Sequence, residues 1–200
     1  MLQKFINTVD SEVNKLLYDS LPVSALKYAA KLIQSAEKKG NRVHVMGIGK
    51  PSYVAGYCAS LLSSTGTPAY ELDGTEAVHG SSGQVIPGDI VIAISNSGET
   101  KELLYSVETV KSNGAKVIGL SKNIMTSLSR LSEVALVSEV IDEGDDLNKP
   151  PRASILNQII VLQCLSVLLQ EAKELDMGSY LKWHPGGTIG ETRIGKGGGV

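Results

Sequence analysis

A run of hydroxyl side chains stands directly after a strongly apolar segment of the chain. The segment is Asp89-Ile90-Val91-Ile92-Ala93-Ile94, and the run is Ser95-Asn96-Ser97-Gly98-Glu99-Thr100. Three hydroxyls, a glycine that lets the backbone approach closely and the free N–H groups of a helix predicted over residues 99–113 together suit a phosphate. The candidate ligands are Ser95, Asn96, Ser97, Gly98 and Thr100. Serine and threonine are also common helix caps, so a purely structural interpretation stays open.

A second glycine-containing loop follows the short apolar run Val43-His44-Val45-Met46. It reads Gly47-Ile48-Gly49-Lys50-Pro51-Ser52 and lacks both the third glycine of a dinucleotide fingerprint and the spacer of a Walker A loop, which argues against a nucleotide. Lys50 is placed to neutralise an oxyanion or a phosphate, with a solvated surface lysine as the alternative. Gly49 and Ser52 are further candidate binding residues.

Three other segments carry groups that could move protons. They are Thr75-Glu76-Ala77-Val78-His79-Gly80, the acidic loop Asp142-Glu143-Gly144-Asp145-Asp146, and Trp183-His184-Pro185-Gly186-Gly187-Thr188. Taken singly, a loop histidine is more often structural and an acidic run is usually solvated. Together, Glu76, His79, Glu143 and His184 could act as acids and bases if the fold gathers them near the phosphate loop.

The apolar spacing of the first 39 residues predicts two helices, over 2–17 and 23–39, the second ending at Gly40. This helical arm must bury its apolar stripe, against its own domain or against another subunit. Short β-branched strands then alternate with helical stretches, the last of which is predicted over 153–175. Such alternation predicts an α/β fold with a mostly parallel sheet covered on both faces. Ligands of such sheets bind beyond the carboxyl ends of the strands.

Length and composition fit one domain, predicted over 1–194, with a disordered tail at 195–200. The 200 residues have a formal net charge of −2, so no basic field attracts nucleic acid or an anionic membrane. No signal peptide or membrane-spanning run is evident, and we expect a soluble cytoplasmic protein. Cys58 and Cys164 lie far apart in apolar stretches and are predicted to be core residues.

The motifs, taken in order, resemble a known family. The Ser-Asn-Ser-Gly-Glu-Thr loop resembles the phosphate loop of SIS (sugar isomerase) domains. Gly-x-Gly-Lys, Glu-Ala-Val-His-Gly and His-Pro-Gly-Gly-Thr-Ile-Gly resemble one branch, the arabinose-5-phosphate isomerases of the KpsF/GutQ type. The resemblance covers residues 30–191. No pair of CBS modules follows in this sequence, so we expect a form of the branch that lacks them.

The resemblance implies a three-layer, flavodoxin-like α/β sandwich and a homo-oligomer, commonly a tetramer with sites shared between subunits. It implies interconversion of an aldose phosphate and a ketose phosphate without metal or redox cofactor. By position, it makes Lys50, Glu76, Glu143 and His184 the catalytic set and His79 a second site histidine; the proton-abstracting base stays open between His184 and Glu143.

Two positions depart from the family pattern. Pro51 stands where a serine usually follows the lysine, which removes a backbone donor. Arg152 replaces a small residue and could pair with Asp145 or Asp146 or reach the ligand. Two other functions stay open: a 6-phospho-3-hexuloisomerase, and a non-catalytic phosphosugar sensor. We expect no DNA-binding module of the kind that SIS regulators usually carry, because few residues precede the first strand.

Overall fold

A computed structural model describes residues 1–189 of the chain and contains a five-stranded sheet, parallel throughout, in the order β2-β1-β3-β4-β5. The prediction of a mostly parallel α/β sheet is confirmed. The predicted tail at 195–200 and the last residues of the predicted domain lie outside the described part. The strands are β1 (Val43–Gly47), β2 (Ala69–Glu71), β3 (Ile90–Ile94), β4 (Lys116–Ser121) and β5 (Val134–Val137).

Helices cover both faces of this sheet and give the three layers that were predicted. The helices are α1 (Leu2–Lys15), α2 (Val23–Glu37), α3 (Lys50–Ser64), α4 (Lys101–Ser112), α5 (Ser127–Leu131), α6 (Ala153–Ala172) and α7 (Met177–Trp183). On one face, alternate residues of β1 and β3 such as Val45 and Ile92 pack against α2, α3 and α6; on the other, Met46 and Val91 pack against α4 and α5.

The strand order reverses between β1 and β3. From β1 the chain crosses through α3 to β2 on one side, then returns to β3 on the other side of β1. The loops after β1 and β3 therefore leave the sheet side by side and feed helices on opposite faces. A crevice at such a reversal is where open parallel sheets bind ligands.

The N-terminal arm docks on its own domain in part, through polar contacts, while Leu2, Ile6 and Leu17 of its predicted apolar stripe are exposed. Glu12 is buried, and its Oε1 accepts hydrogen bonds from the backbone N–H groups of Ile141 (3.1 Å) and Asp142 (3.0 Å). Salt bridges from Lys4 to Asp146 and from Lys15 to Glu139 extend this contact along the helix. Helix α1 thus holds the whole acidic loop against the domain.

Helix α6 is, among the described residues, the one helix that meets the length and composition expected of a membrane span. Half of its most apolar window is buried, and it packs against α1, α2 and α3. The core helix of a soluble domain meets the same two criteria. Cys58 is fully buried as predicted, and burial raises the pKa of its thiol to about 12, whereas Cys164 on α6 is only half-buried.

Candidate functional site

The hydroxyls of the predicted phosphate loop converge on one point at the carboxyl end of β3. The Ser95 hydroxyl lies 3.1 Å from Thr100 Oγ1 and 3.5 Å from Ser97 Oγ, and it accepts the N–H of Gly98 at 3.1 Å. Thr100 is the N-cap residue of α4, which begins at Lys101, two residues later than predicted. The three hydroxyls therefore lie beside the unpaired N–H groups at the start of α4, which is the arrangement that binds a phosphate.

Gly98 is needed at its position for two reasons. Its φ of +67° lies in the left-handed region that side chains other than glycine rarely adopt, and an added Cβ would lie 2.5 Å from the side chain of Thr126. Thr126 caps α5, whose Leu128 donates its N–H to the Gly98 carbonyl at 3.0 Å. The phosphate loop is therefore packed directly on the start of α5.

The loop after β1 places Lys50 at the first position of α3. Gly49 adopts φ +68°, and Lys50 itself is exposed. The Ser52 hydroxyl donates to the Gly49 carbonyl at 2.7 Å, so Ser52, predicted as a ligand, has its own proton engaged within the loop. Pro51 suits the first turn of a helix, where an N–H is unpaired in any case, but it leaves one donor fewer for a ligand.

Glu76 and His79 lie on a short 3₁₀ turn, Glu76–His79, beyond the carboxyl end of β2. Asp73 fixes the turn by accepting the N–H groups of Thr75 and Glu76 at 2.7 and 3.0 Å. The turn is joined to the loop after β1 because Gly74 packs on the Gly47 carbonyl, and to α4 because Ser106 donates to the Gly74 carbonyl at 2.6 Å. The fold thus brings Lys50, Glu76 and the phosphate loop to one edge of the sheet.

Glu143 lies in the loop that follows β5, and β5 is two strands from β3, about 10 Å across the sheet. Its side chain is buried, and Oε2 accepts the N–H groups of Arg152 (2.7 Å) and Ser154 (3.1 Å) at the start of α6. Glu143 therefore caps this helix, which was not predicted. Arg152 pairs with Asp145, one of the two partners predicted for it.

His184 lies far from the phosphate loop of its own chain. It follows α7, and the neighbouring Trp183 ring lies against Gly66, just past the end of α3 that is opposite Lys50. The 15 residues of α3 span about 22 Å. The imidazole stacks on the Tyr180 ring at 4.0 Å, and its Nδ1 lies 2.8 Å from the Tyr180 carbonyl. One chain alone does not bring His184 to the other candidate residues.

The SIS domain family model matches residues 37–168, which is more than half of the chain. The chain belongs to the SIS domain family. The match includes both glycine loops, the Glu76 turn and the acidic loop, so the family predicted from the motifs is confirmed.

Named relatives and a solved structure agree with this family. Arabinose 5-phosphate isomerase KdsD of Pseudomonas aeruginosa is 34% identical over 149 residues, covering 74% of this SIS chain and 46% of the relative. KdsD of Francisella tularensis is 29% identical over 193 residues, covering 96% and 55%. The solved structure of Escherichia coli CFT073 c3406 in complex with arabinose 5-phosphate has 30% identity and a TM-score of 0.85, covering 92% of this chain and 95% of that one. The chain spans about half the length of these two curated relatives.

Two features of this SIS domain were not predicted from its sequence. Helix α5 is only five residues long and carries no periodic apolar pattern, so its contact with the phosphate loop was missed. Glu99 was assigned to the start of a helix, yet its carboxylate reaches Ser127 on α5. Within residues 1–189 no group of three or more His, Cys, Asp or Glu side chains is placed to hold a metal ion; a reaction without metal stays a prediction.

Proposed function

We propose that this SIS domain is an aldose–ketose isomerase that interconverts arabinose 5-phosphate and ribulose 5-phosphate through an enediol intermediate. The observation that carries the proposal is the position of Lys50 and Glu76 at the same edge of the sheet as the three hydroxyls of the phosphate loop. The relatives named arabinose 5-phosphate isomerase and the c3406 complex with that sugar phosphate support this choice of substrate.

The proposed roles follow from the chemistry of the reaction. Moving a proton between C1 and C2 needs a base at carbon and a second group that exchanges protons with the sugar oxygens. Exposed Lys50, at the start of α3, stabilises the negative charge that develops on oxygen. Exposed Glu76 protonates and orients the hydroxyls. Glu143, the other candidate base, is assigned a supporting role because its carboxylate is engaged with the start of α6.

We assign His184 as the base and place it in the site of a neighbouring copy. Because a carbonyl oxygen only accepts hydrogen bonds, the Nδ1 that lies 2.8 Å from the Tyr180 carbonyl carries the proton. In the neutral ring, Nε2 then holds the free lone pair that can take a proton from carbon. In the proposed homotetramer, each subunit supplies its His184 to a site that is built by the loops of another subunit.

The experiment that tests the function is an isomerase assay with arabinose 5-phosphate, followed through formation of ribulose 5-phosphate. Ribose 5-phosphate and hexulose 6-phosphate are run in parallel, and binding is followed by thermal shift. Turnover of arabinose 5-phosphate supports the proposal. Thermal stabilisation by a sugar phosphate without turnover of any substrate would contradict it and indicate a phosphosugar sensor instead.

Ser97→Ala is expected to weaken sugar-phosphate binding about tenfold, because an exposed hydroxyl that hydrogen-bonds an anion is lost. The dissociation constant is measured by calorimetry with arabinose 5-phosphate. Ser112→Ala, an exposed serine at the far end of α4, is the matched control and should bind normally. Unchanged affinity in Ser97→Ala would remove the loop from the site.

A further inference from the structure

We propose that Glu99 is a positioning residue that fastens the phosphate loop to α5 and does not itself contact the ligand. Its two carboxylate oxygens accept hydrogen bonds from Ser127: Oε1 from the backbone N–H at 2.8 Å and Oε2 from the hydroxyl at 2.7 Å. Ser127 is 28 residues further along the chain and is the first residue of α5. The inference rests on the proposed phosphate-binding role of the loop.

The contact belongs to a wider junction between the loop and the segment that follows β4. Lys122 donates its N–H to the Asn96 carbonyl at 2.9 Å, and Leu128 donates to the Gly98 carbonyl at 3.0 Å. The side chain of Thr126 fills the space beside Gly98. These contacts use the backbone of the loop, whereas Glu99 reaches across to α5 with its side chain. The side chain of Glu99 is therefore the part of the junction that a substitution can remove.

The segment after β4 is held by a buried cluster of hydroxyls, which makes it a suitable anchor. The buried hydroxyls of Ser121, Thr126 and Ser129 lie 2.9 to 3.0 Å from one another. The Asn123 carbonyl lies within hydrogen-bond distance of all three hydroxyls, at 3.0, 3.3 and 2.9 Å. A loop tied to this cluster loses little further conformational freedom when it binds a ligand.

The charge of Glu99 must be compatible with this role, since a carboxylate inside a phosphate-binding loop would repel a dianion. Both of its oxygens are turned onto donors of Ser127, and these hydrogen bonds hold its pKa below the usual range of a glutamate, with Arg130 and Lys122 adding smaller contributions. The carboxylate is therefore fully ionised and bound to α5 near neutral pH. The carboxylate therefore does not occupy the hydroxyls of Ser95, Ser97 and Thr100, which contact one another and the amides of the loop.

The test compares Glu99→Ala, Ser127→Ala and the double variant. Glu99→Ala should raise KM for arabinose 5-phosphate and the dissociation constant for inorganic phosphate about fivefold, the size expected for two exposed charge-assisted hydrogen bonds, with a smaller change in kcat. Ser127→Ala keeps the backbone donor and should show an intermediate effect. The double variant should have the same KM and dissociation constant as Glu99→Ala alone, because the two residues act as one unit.

Two controls separate a positioning role from a general charge effect and from a loss of stability. Glu102→Ala removes an exposed carboxylate from the first turn of α4, just after the loop, and should leave KM unchanged, which excludes the charge effect. Glu99→Gln keeps one carbonyl acceptor for Ser127 and should restore part of the affinity. The melting temperature of each variant is measured, since a merely structural role would lower it without a selective rise in KM.

Ser97→Ala, measured beside these variants, distinguishes the two ways to fail. If Ser97→Ala weakens phosphate binding and Glu99→Ala does not, the positioning role is wrong and the phosphate loop stands. If neither variant changes phosphate binding, residues 95–100 are not the phosphate site, and the positioning role of Glu99 has no basis. Additive effects of Glu99→Ala and Ser127→Ala would also overturn the proposal, because Glu99 would then act independently of α5.

Discussion

Replacing His184 with alanine is expected to lower turnover of arabinose 5-phosphate about a hundredfold or more, the usual contribution of a general base, while affinity changes little. The imidazole is held by stacking on Tyr180 and by the Tyr180 carbonyl, so its free nitrogen has a defined direction. The phosphate loop follows β3, at the same end of the sheet as Lys50 and away from His184, and stays intact in the variant. Steady-state kinetics and calorimetry with arabinose 5-phosphate measure the two quantities separately.

Mixed oligomers show which subunit supplies the histidine. His184→Ala chains and Lys50→Met chains are each expected to have only a small residual activity. When equal amounts are denatured and reassembled together, about a quarter of the sites should combine an intact Lys50 from one chain with an intact His184 from its neighbour. If both residues served the site of their own chain, no activity would return. Full activity of His184→Ala alone would exclude it as the base.

Replacing Asp89 with alanine is expected to destabilise the domain by about 3 kcal/mol or more, because several buried donors lose their acceptor at once. Oδ1 accepts from the N–H of Arg42 at 3.0 Å and from Asn41 at 3.1 Å; Oδ2 accepts from the N–H of Ile86 at 3.0 Å and lies 3.1 Å from His44 Nε2. Asp89 is fully buried at the amino end of β3, away from the candidate site. Urea unfolding measures the loss.

The isosteric variant Asp89→Asn is the matched control and should cost less, because it keeps one acceptor oxygen. Burial raises the pKa of Asp89, but hydrogen bonds from Arg42, Ile86, Asn41 and His44 outweigh it, and the pKa lies below the usual aspartate value. The carboxylate therefore stabilises the fold fully above the unfolded pKa of about 3.9, and this stabilisation is lost as the pH falls through the lower folded value. A gap between wild type and Asp89→Asn that is equal at pH 3 and pH 7 would contradict this.

Local patterns were sufficient to predict the frame of the domain. The β-branched runs identified β1, β3 and β4. The two glycine-containing loops were correctly assigned to the carboxyl ends of β1 and β3. The last long helix was less well predicted: α6 ends at Ala172, and Glu174 has a φ of +51°, so the chain turns before α7 begins. Apolar spacing alone gave no sign of this break.

Contacts between residues distant in sequence could not be predicted in the same way. Glu143 was selected as an acid–base candidate because it lies in an acidic loop, whereas its position at the start of α6 depends on where the chain returns. Asp89 was included in an apolar strand. Its role as a buried hydrogen-bond acceptor depends on Asn41 and Arg42, which are more than 40 residues away in the sequence. His184 and Lys50 are far apart because they lie near opposite ends of α3. The spacing of residues in the sequence does not indicate at which end of a helix a distant segment packs.

The hydrogen bonds of Glu12 also have a consequence for synthesis of the chain. Its partners Ile141 and Asp142 follow it by 129 and 130 residues. At about 5–20 residues per second, a ribosome adds those residues roughly 6 to 26 s after Glu12. During that interval α1 has emerged while its docking surface does not yet exist. The apolar residues of α1 are then accessible to chaperones or to another nascent chain. Helix α1 docks on the loop at residues 141–142 only as one of the last steps of folding.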